Sequence, residues 1–301
     1  MNDELKELFS VTRKKRGQEY QARLEKIVLE HVDSVSNSSN PKLIFASGQP
    51  GSGKTALIQR IFQDYQDEKF VVVDIDNYRR YHPDYDKVKQ YRKDFIILTN
   101  SFLFDLEEDI LVNAFEKGKN VIYVGTLRDT DFICNFVIKN AKERNYHIGV
   151  YVLVVPLIIS LLSAVERYEE QLLNEADALH FIDASFHALA NEGFERTLNC
   201  IEKDSLADFF KFCKRGKIRD SLPELIDFKK GVVETLHKER NDILLDKEDI
   251  LLRLNTLKNK LQKDCDKEAD TLKTLFDLFE LTFNQTKTHS GEDDGIESYS
   301  K

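Results

Sequence analysis

The stretch FASGQPGSGKT places three glycines and a lysine at fixed offsets between two apolar segments. Its last eight residues fit the pattern G-x-x-x-x-G-K-[ST], in which backbone N–H groups surround phosphate oxygens and the lysine reaches the β- and γ-phosphates. The chemistry that this spacing predicts is the binding of a nucleoside triphosphate. The residues concerned are Gly48, Gln49, Pro50, Gly51, Ser52, Gly53, Lys54 and Thr55.

This phosphate site is local and does not depend on the overall charge. The chain has 44 Lys and Arg against 53 Asp and Glu, a formal net charge of −9, and such a field repels nucleic acids and anionic membranes. Gly51 and Gly53 let the backbone turn its N–H groups inward, and the helix that follows adds its positive N-terminal end. The hydroxyl of Thr55 would take one coordination position on Mg²⁺. We therefore expect ATP and Mg²⁺ as cofactors, and no nucleic acid or membrane as a partner.

Two carboxylates follow the next apolar segment, in KFVVVDIDNYRRYHPDY. In an extended chain, Asp74 and Asp76 would project to the same face. They lie at the carboxyl end of a predicted strand, where ligands bind in open α/β sheets. Asp76 is the candidate base, which would orient an acceptor hydroxyl and accept its proton late. A helix cap, or an ion pair with Arg79 or Arg80, is the alternative interpretation of Asp76.

The elements that must position these residues follow from an alternation of short β-branched segments with helical patterns. The predicted strands are KLIFAS, KFVVVDI, NVIYV, GVYVLVV and a weaker one, DFFKFC, at Asp208 to Cys213, and helical segments such as ALIQRIFQDY lie between them. Short continuous apolar strands separated by helices predict an α/β fold with a parallel sheet covered on both faces.

The composition predicts four segments along the chain. Residues 1–40 form an N-terminal helix and loop, 41–222 the nucleotide-binding domain, 223–285 a helical extension and 286–301 a disordered tail. The extension is predicted to contain a long helix, as half of a helical hairpin, that packs on the core domain or on itself, or acts as a protein-interaction arm. Its apolar positions recur at steps of three and four: Ile250, Leu254, Leu257, Leu261, Cys265, Leu272, Leu275 and Phe279.

The N-terminus, MNDELKELFS, has no apolar segment behind positive residues. A bilayer-spanning helix needs about 20 consecutive apolar residues, and no segment approaches that length. These features predict a cytoplasmic protein.

Four blocks in a fixed order, GQPGSGKT, DIDNYRRYHPDY, VGTLR and ERYEE, carry a family resemblance. The chain resembles the zeta-toxin family of P-loop kinases over roughly Lys42 to Cys213. The resemblance implies a P-loop kinase-like fold and, with Mg²⁺, transfer of a phosphoryl group from ATP to the 3′-hydroxyl of UDP-N-acetylglucosamine. It also implies that the protein is the toxin of a toxin–antitoxin system and that an antitoxin restrains it.

The resemblance implies contacts with the nucleotide-sugar substrate at three positions. Glu108, Thr126 and Arg128 match family residues that contact the sugar nucleotide. Glu108 has an alternative interpretation as an ordinary exposed acid of an amphipathic helix. For Arg128 the alternative is a surface ion pair with Asp129 or Asp131.

The resemblance also implies three catalytic positions. Asp76 matches the catalytic base, and Lys54 is the P-loop lysine. Arg167, in SLLSAVERYEEQLL, matches an arginine that reaches the ATP phosphates from a helix after the fourth strand. Pairing of Arg167 with Glu170 is the alternative.

Two positions depart from the family pattern. Val124 occupies the place of a glutamate before Gly-Thr, and losing that acid would lower turnover, change the acceptor or shift its work to Asp74. The second arginine of the family falls on His180, which would stabilise developing charge less reliably. His187 matches a family histidine, and we expect it to be structural.

These departures leave two other functions open. In one, the same chemistry acts on a nucleoside, another nucleotide sugar or an antibiotic hydroxyl. In the other, the chain is an attenuated nucleotide-binding interaction protein whose C-terminal helices bind partners or act as a fused inhibitor.

Overall fold

The computed structural model describes residues 17–92, 94–174, 179–216, 221–228, 231–261 and 266–284. Within these ranges, one six-stranded sheet is flanked by helices. The α/β class and the helices on both faces, predicted from the alternation, are confirmed. The strands are β1 Lys42–Ser47, β2 Val71–Asp74, β3 Val121–Gly125, β4 His147–Val154, β5 Phe209–Lys214 and β6 Glu224–Ile226.

The helices connect these strands and continue past the last one. They are α1 Gly17–Ile27, α2 Lys54–Asp64, α3 Tyr85–Val88, α4 Phe95–Glu116, α5 Lys139–Lys142, α6 Leu157–Leu173, α7 Ala184–Lys203, α8 Val232–Asn241, α9 Lys247–Lys260 and α10 Asp266–Asn284. A π-helical turn, Val28–Val32, extends α1, a second one, Phe132–Ile138, precedes α5, and a 3₁₀ helix, Ile75–Tyr81, follows β2. The predicted N-terminal helix is therefore described from residue 17, and residues 1–16 lie outside the described part.

The strand order is β2-β3-β1-β4-β5-β6, with β1 to β5 parallel and β6 antiparallel to β5. The P-loop leaves central strand β1, so segments after β2 and β3 flank it on one side and segments after β4 and β5 on the other. Because parallel strands bring their carboxyl ends to one edge, all of these segments meet at a single edge of the sheet.

Neighbouring residues of the strands enter different cores, because successive side chains in a strand point to opposite faces. Leu43 and Phe45 pack in the cluster formed with α1, α4 and α7, whereas Ile44 and Ala46 pack in the cluster formed with α2. Both faces of the sheet are thus buried, as the continuous apolar segments predicted.

The sheet continues beyond residue 222, where the sequence analysis placed the end of the nucleotide-binding domain. Strand β6 pairs with β5 through Ile226 opposite Phe212. Helix α8 then buries Val232 and Leu236 in the same cluster as α1, α4 and α7. The chain after residue 222 therefore contributes directly to the main core.

The prediction of one long helix through residues 250–279 is wrong, because this segment forms two helices, α9 and α10. Residues 262–265 between them, including Cys265, lie outside the described part, as does the predicted tail at 286–301. Ile250, Leu254 and Leu275 pack with Leu161 and Val165 of α6. The expectation that the extension packs on the core domain is therefore confirmed.

Polar contacts also fix this pair of helices to α6. Arg253 donates from Nε and Nη2 to the two carboxylate oxygens of Glu166, at 2.8 and 2.7 Å. Tyr168 donates to Glu268 at 2.9 Å. These contacts lie on either side of Arg167 in the sequence, so α9 and α10 help to fix the helix that carries it. No described helix is long and apolar enough to cross a lipid bilayer.

Candidate active site

At two positions of the P-loop, residues 48–55, the backbone adopts a conformation that favours glycine. Gly51 and Gly53 have φ angles of 74° and 98°, in the left-handed region. A Cβ on Gly51 would lie 1.9 Å from the carbonyl oxygen of Ser160, at the start of α6. The loop is therefore packed tightly against α6, and Gln49 and Ser52 are buried within it.

Lys54 lies at the first position of α2, and its ammonium turns back to the loop. Nζ donates to the carbonyl oxygens of Gly48 and Gln49, at 3.0 and 3.3 Å. Burial, followed by the positive charge of Arg167, lowers the pKa of Lys54 to about 8. A bound phosphate would favour the charged form, so this lysine suits an anionic ligand. Thr55 follows it with an exposed side chain.

Asp74 and Asp76 were predicted to lie in one extended strand, and this prediction is wrong. Asp74 is the last residue of β2, whereas Asp76 lies in the first turn of the 3₁₀ helix that follows. Asp74 caps this helix by accepting a hydrogen bond from the backbone N–H of Asp76, at 3.3 Å. Asp74 and Asp76 therefore do not share one face of a strand, and the turn between them brings their carboxyl groups close enough to interact.

The carboxylate of Asp76 is bound on one oxygen and more open on the other. Arg79 donates from Nε to Oδ1 at 2.9 Å, and its Nη2 lies 2.7 Å from the same oxygen as an ion pair. His180 Nδ1 lies 3.9 Å from Oδ2. Desolvation raises the pKa of Asp76, but the charge of Arg79 and its hydrogen bond, together with the charge of Arg167, outweigh it and the net shift is downward. Asp76 therefore stays ionised at neutral pH, with Oδ2 facing a histidine at a distance too long for a strong hydrogen bond.

Arg79 is itself fixed by helix α4. It is only 8% exposed, and its Nη1 donates to the side chains of Thr99 and Asn100 and to the carbonyl oxygen of Ile96. The ion pair weighed as an alternative for Asp76 is thus present. Because its guanidinium is held from behind by α4, it also fixes the direction in which Asp76 points.

Two neighbouring glutamates of α4 differ in environment. Glu108 is half-buried, whereas Glu107 is 8% exposed. Burial raises the pKa of Glu107 to about 7, a hydrogen bond with Tyr123 opposes this rise, and the charges of Glu108, Asp74 and Asp76 add to it. Four carboxyl groups therefore interact at this edge of the sheet, and Glu107 had no place in the sequence analysis.

Val124 contributes no polar atom to this carboxyl group cluster. Its side chain packs in the apolar cluster with Ile44 and Leu57, while Tyr123 points to the opposite face of the sheet. The position at which the resemblance implies a glutamate is thus occupied by a well-packed apolar residue.

The segment after β3 presents Thr126 and Arg128 at the same edge. Leu127 between them has a φ of 49°, a conformation that is rare for a bulky residue and that clusters at functional sites. The guanidinium of Arg128 lies 4.7 Å from the centroid of the Phe186 ring. Within the described ranges, Arg128 makes no ion pair with Asp129 or Asp131. The geometry therefore does not support the surface ion pair weighed as its alternative.

Arg167 and Arg215 lie on the side of the P-loop that follows β4 and β5. Arg167 is exposed on α6, and its charge lowers the pKa values of Lys54, Asp76 and His180, so these groups share one electrostatic environment. Arg215 directly follows β5 and donates from Nη1 to Ser163 Oγ at 3.0 Å and to the Gly51 carbonyl oxygen at 3.4 Å.

The two histidines that the sequence analysis singled out are both neutral at pH 7. Burial lowers the pKa of His180 and that of His187 to about 4. His187 Nε2 lies 2.9 Å from Ser160 Oγ, beneath the P-loop, which agrees with the structural role expected for it.

The model of the family described as "Zeta toxin" matches residues 27–220, which is more than half of the chain. The chain belongs to the zeta toxin family. Toxin zeta of Enterococcus hirae is 29% identical over 261 residues, covering 85% of this chain and 88% of that protein. Toxin PezT of Streptococcus pneumoniae is 31% identical over 135 residues, covering 44% of this chain and 53% of that protein.

Solved structures agree with the zeta toxin fold. A chain from the PezAT chromosomal toxin–antitoxin system of Streptococcus pneumoniae matches with a TM-score of 0.68 and 20% identity, covering 82% of this chain and 98% of its own. A chain of the AvrRxo1-ORF1:-ORF2 complex matches with a TM-score of 0.52 and 15% identity, covering 86% and 84%. These similarities confirm the predicted P-loop kinase-like architecture.

Four residues of this zeta toxin family member gain importance only from the structure: Arg79, Glu107, Arg215 and Arg240. A signal for Glu107 was available, because it falls four residues after Leu103 and three before Ile110, on the apolar stripe of α4. Arg79 lies three residues after Asp76, one turn along a helix, but only its burial shows that it is more than a surface partner. Arg240 lies 191 positions from its P-loop partner, and no local pattern indicates it.

Proposed function

We propose that this zeta toxin family member transfers the γ-phosphoryl group of ATP to a hydroxyl group of a small molecule. One observation carries the proposal: the P-loop lysine and a carboxylate held ionised lie in the same electrostatic site. Burial has the largest effect on the pKa of Lys54. The charge of Arg167 lowers this pKa further, and the charges of Asp74 and Asp76 raise it. Cations for the phosphates and a base for the hydroxyl are the parts that phosphoryl transfer requires.

In the proposed reaction, the acceptor oxygen forms a bond to the γ-phosphorus as the bond to the β–γ bridging oxygen breaks. ADP leaves, and the hydroxyl proton passes to Asp76. Oδ2 of Asp76 is the suitable oxygen, since Oδ1 already accepts a hydrogen bond from Arg79 Nε and pairs with its Nη2. Lys54 and Arg167 would bind the phosphates, with the rest of the P-loop, Gly48 to Thr55, as their backbone cradle.

The residues present fit Mg²⁺ as a cofactor bound mainly by phosphate and water. No group of three or more His, Cys, Asp or Glu side chains suited to a metal occurs in the described part of the chain. Thr55 offers a hydroxyl next to Lys54, and Asp74 offers a carboxyl whose pKa is raised by burial and by Asp76, so a cation would stabilise its ionised form. When bound, Mg²⁺ neutralises charge on the β- and γ-phosphate oxygens.

UDP-N-acetylglucosamine, phosphorylated on its 3′-hydroxyl, is the proposed substrate. Glu108, Thr126 and Arg128 are the proposed contacts to it, and they lie on the β2–β3 side of the P-loop, together with Asp76. The proposed role is that of a toxin acting in the cytoplasm under the control of an antitoxin protein. Support comes from the family, from relatives named toxins, and from the structural neighbour that belongs to a toxin–antitoxin system.

A different acceptor hydroxyl is the second candidate, and Val124 favours it. A carboxylate at this position could order the acceptor or a magnesium-bound water, whereas Val124 lies in an apolar cluster and does neither. A nucleoside, another nucleotide sugar or an antibiotic would keep the same donor side and the same base.

Mass spectrometry of acceptors incubated with the protein, ATP and Mg²⁺ tests both candidates. UDP-N-acetylglucosamine should gain the mass of one phosphoryl group, and Lys54→Ala should prevent this. A gain only on other members of an acceptor panel would select the second candidate. ATP hydrolysis that no acceptor accelerates would contradict the kinase proposal and favour the interaction protein.

Expression in bacteria without a partner tests the proposed toxin role. The intact chain should arrest or lyse the cells, and Lys54→Ala should restore growth. Normal growth at high levels of the intact chain would contradict this role while leaving the kinase chemistry unaffected.

A further inference from the structure

The side chain of Gln49, the second residue of the P-loop, is completely buried and held at both ends. Its Nε2 donates to the carbonyl oxygen of Val155 at 2.7 Å and to Ser160 Oγ at 3.2 Å. Its Oε1 accepts a hydrogen bond from Nη2 of Arg240, at 3.0 Å. The first two contacts lie at the start of α6, whereas Arg240 belongs to α8.

Arg240 is a buried cation shared between the P-loop and α7. It is 8% exposed, and besides Gln49 it bonds Glu195 Oε1 through Nη1 at 2.7 Å and Asn191 Oδ1 through Nη2 at 2.7 Å. A planar guanidinium that satisfies acceptors in different directions has a single orientation, and a lysine cannot reproduce it. A buried charge is costly to desolvate, so packing alone is a poor explanation of this arrangement.

The contact reaches the phosphate site through the backbone of Gln49. The carbonyl oxygen of Gln49 accepts hydrogen bonds from the backbone N–H of Ser52, at 3.2 Å, and from Lys54 Nζ, at 3.3 Å. Fixing the Gln49 side chain therefore fixes the peptide that organises both the curve of the loop and its lysine.

We propose that Arg240 is a positioning residue of the nucleotide site, which holds the P-loop in its phosphate-binding shape through Gln49. Helix α8 lies outside the residues matched by the family model, 27–220, yet it then forms part of the nucleotide site. The inference rests on the proposed function only in taking ATP as the ligand of the P-loop.

The test is a double-mutant cycle on ATP affinity, measured by titration calorimetry with the full chain. Arg240→Met and Gln49→Met should each raise the Kd for ATP about tenfold, the usual effect of losing one hydrogen bond to a charged group. Both variants remove the same contact. The Kd of the double variant for ATP should therefore be no higher than that of the single variant that binds ATP more weakly. Multiplied effects in the double variant would overturn the proposal.

Glu239→Gln is the matched control on the same helix. It removes the ion pair of Glu239 with Lys214 of β5, at 2.9 Å, without touching the P-loop. It should lower Tm and leave the Kd for ATP unchanged. If Arg240→Met also lowered Tm but bound ATP as tightly as the wild type, Arg240 would be structural only and the proposal would fail.

The double variant keeps the test valid if Arg240→Met folds poorly. It removes Gln49 Oε1, the buried acceptor that Arg240→Met alone would leave without its donor. Recovery of Tm together with wild-type ATP affinity would overturn the proposal, whereas recovery of Tm with weak ATP binding supports it. A wild-type chain that binds ATP but transfers no phosphoryl group would refute the kinase proposal alone, and one that does not bind ATP would refute both.

Discussion

Arg79 places two of its nitrogens on a single oxygen of Asp76, with Nε and Nη2 at 2.9 and 2.7 Å from Oδ1. This pairing leaves Oδ2 for another partner, and α4 holds the guanidinium from behind. An ion pair of this kind is usually taken as evidence that the carboxylate has a structural and not a catalytic role. Here it supports such a role, because it keeps the candidate base ionised and fixes its direction.

Replacing the candidate base should separate catalysis from ATP binding. Asp76→Asn should lower kcat by about 10²–10⁴-fold, since the acceptor proton loses its destination. The Kd for ATP should stay within twofold, because the proposed partner of Asp76 is the acceptor. Steady-state kinetics and calorimetry measure the two quantities, and Asp86→Asn, an exposed aspartate paired with Lys89, is the control. Unchanged turnover in Asp76→Asn would remove Asp76 from its proposed role.

Removing the partner of that base should alter the pH profile. The charge of Arg79 contributes to the lowered pKa of Asp76, so in Arg79→Met this pKa rises and the acidic limb of the kcat profile moves to higher pH. The maximal rate should fall roughly 10²-fold because the carboxylate loses its fixed direction.

Arg80→Met is the control for this change, since Arg80 contacts Tyr81 and not Asp76. A purely structural role for Arg79 predicts a lower rate with the acidic limb unmoved, which would contradict the assignment.

ATP binding should take up protons through Lys54. Its pKa is about 8 in the free protein, so just above that pH a large fraction of the side chain is neutral. Phosphate favours the charged form and raises the pKa, and the protein therefore gains protons on binding. Calorimetry in two buffers of different ionisation enthalpy measures this uptake. Lys54→Met should abolish it, while exposed Lys69→Met should retain it, and equal uptake in all three proteins would be incompatible with the prediction.

Glu107 should make the protein less stable as the pH rises. Burial raises its pKa from 4.5 to about 7, so the folded state binds more protons than the unfolded state between these values and stability falls with pH across this window. Glu107→Gln removes this dependence, worth up to about 3 kcal/mol, and should be stabilised relative to the wild type at pH 8 but not at pH 4.

Urea unfolding at several pH values measures the effect. Glu116→Gln, an exposed position of the same helix, should leave the pH dependence of the wild type unchanged. A constant difference between Glu107→Gln and the wild type at every pH would refute the prediction.

A single methyl group on Gly51 should collapse the nucleotide site. The new Cβ would lie 1.9 Å from the Ser160 carbonyl oxygen, at a φ of 74° that alanine rarely adopts. Gly51→Ala should destabilise the fold by about 2–4 kcal/mol and abolish measurable ATP binding. Gly17→Ala is the matched control, because a Cβ there meets nothing within 4 Å. Normal ATP binding by Gly51→Ala would show that the loop rearranges freely.

Local sequence determined the features of this protein that depend on a few adjacent residues. The P-loop was predictable because its glycines, its lysine and its flanking strand and helix are consecutive, and Gly51 and Gly53 adopt the backbone that their spacing requires. The α/β class was predictable because apolar segments without alternation are typical of strands buried on both faces. The period-two argument for Asp74 and Asp76 was wrong for an equally local reason: the strand ends at Asp74, and a 3₁₀ turn begins.

Tertiary structure alone decided which charged groups became buried and paired. Arg79 changed from an ordinary surface cation to a fixed partner of Asp76 because α4 packs behind it. Glu107 acquired a pKa of about 7 because the packing of α4 buries it, beside three other carboxyl groups. Arg240 meets Gln49 across 191 positions, a contact that exists only once α8 has packed on the core. Burial and charge pairing depend on which elements meet, and sequence separation carries no information about that.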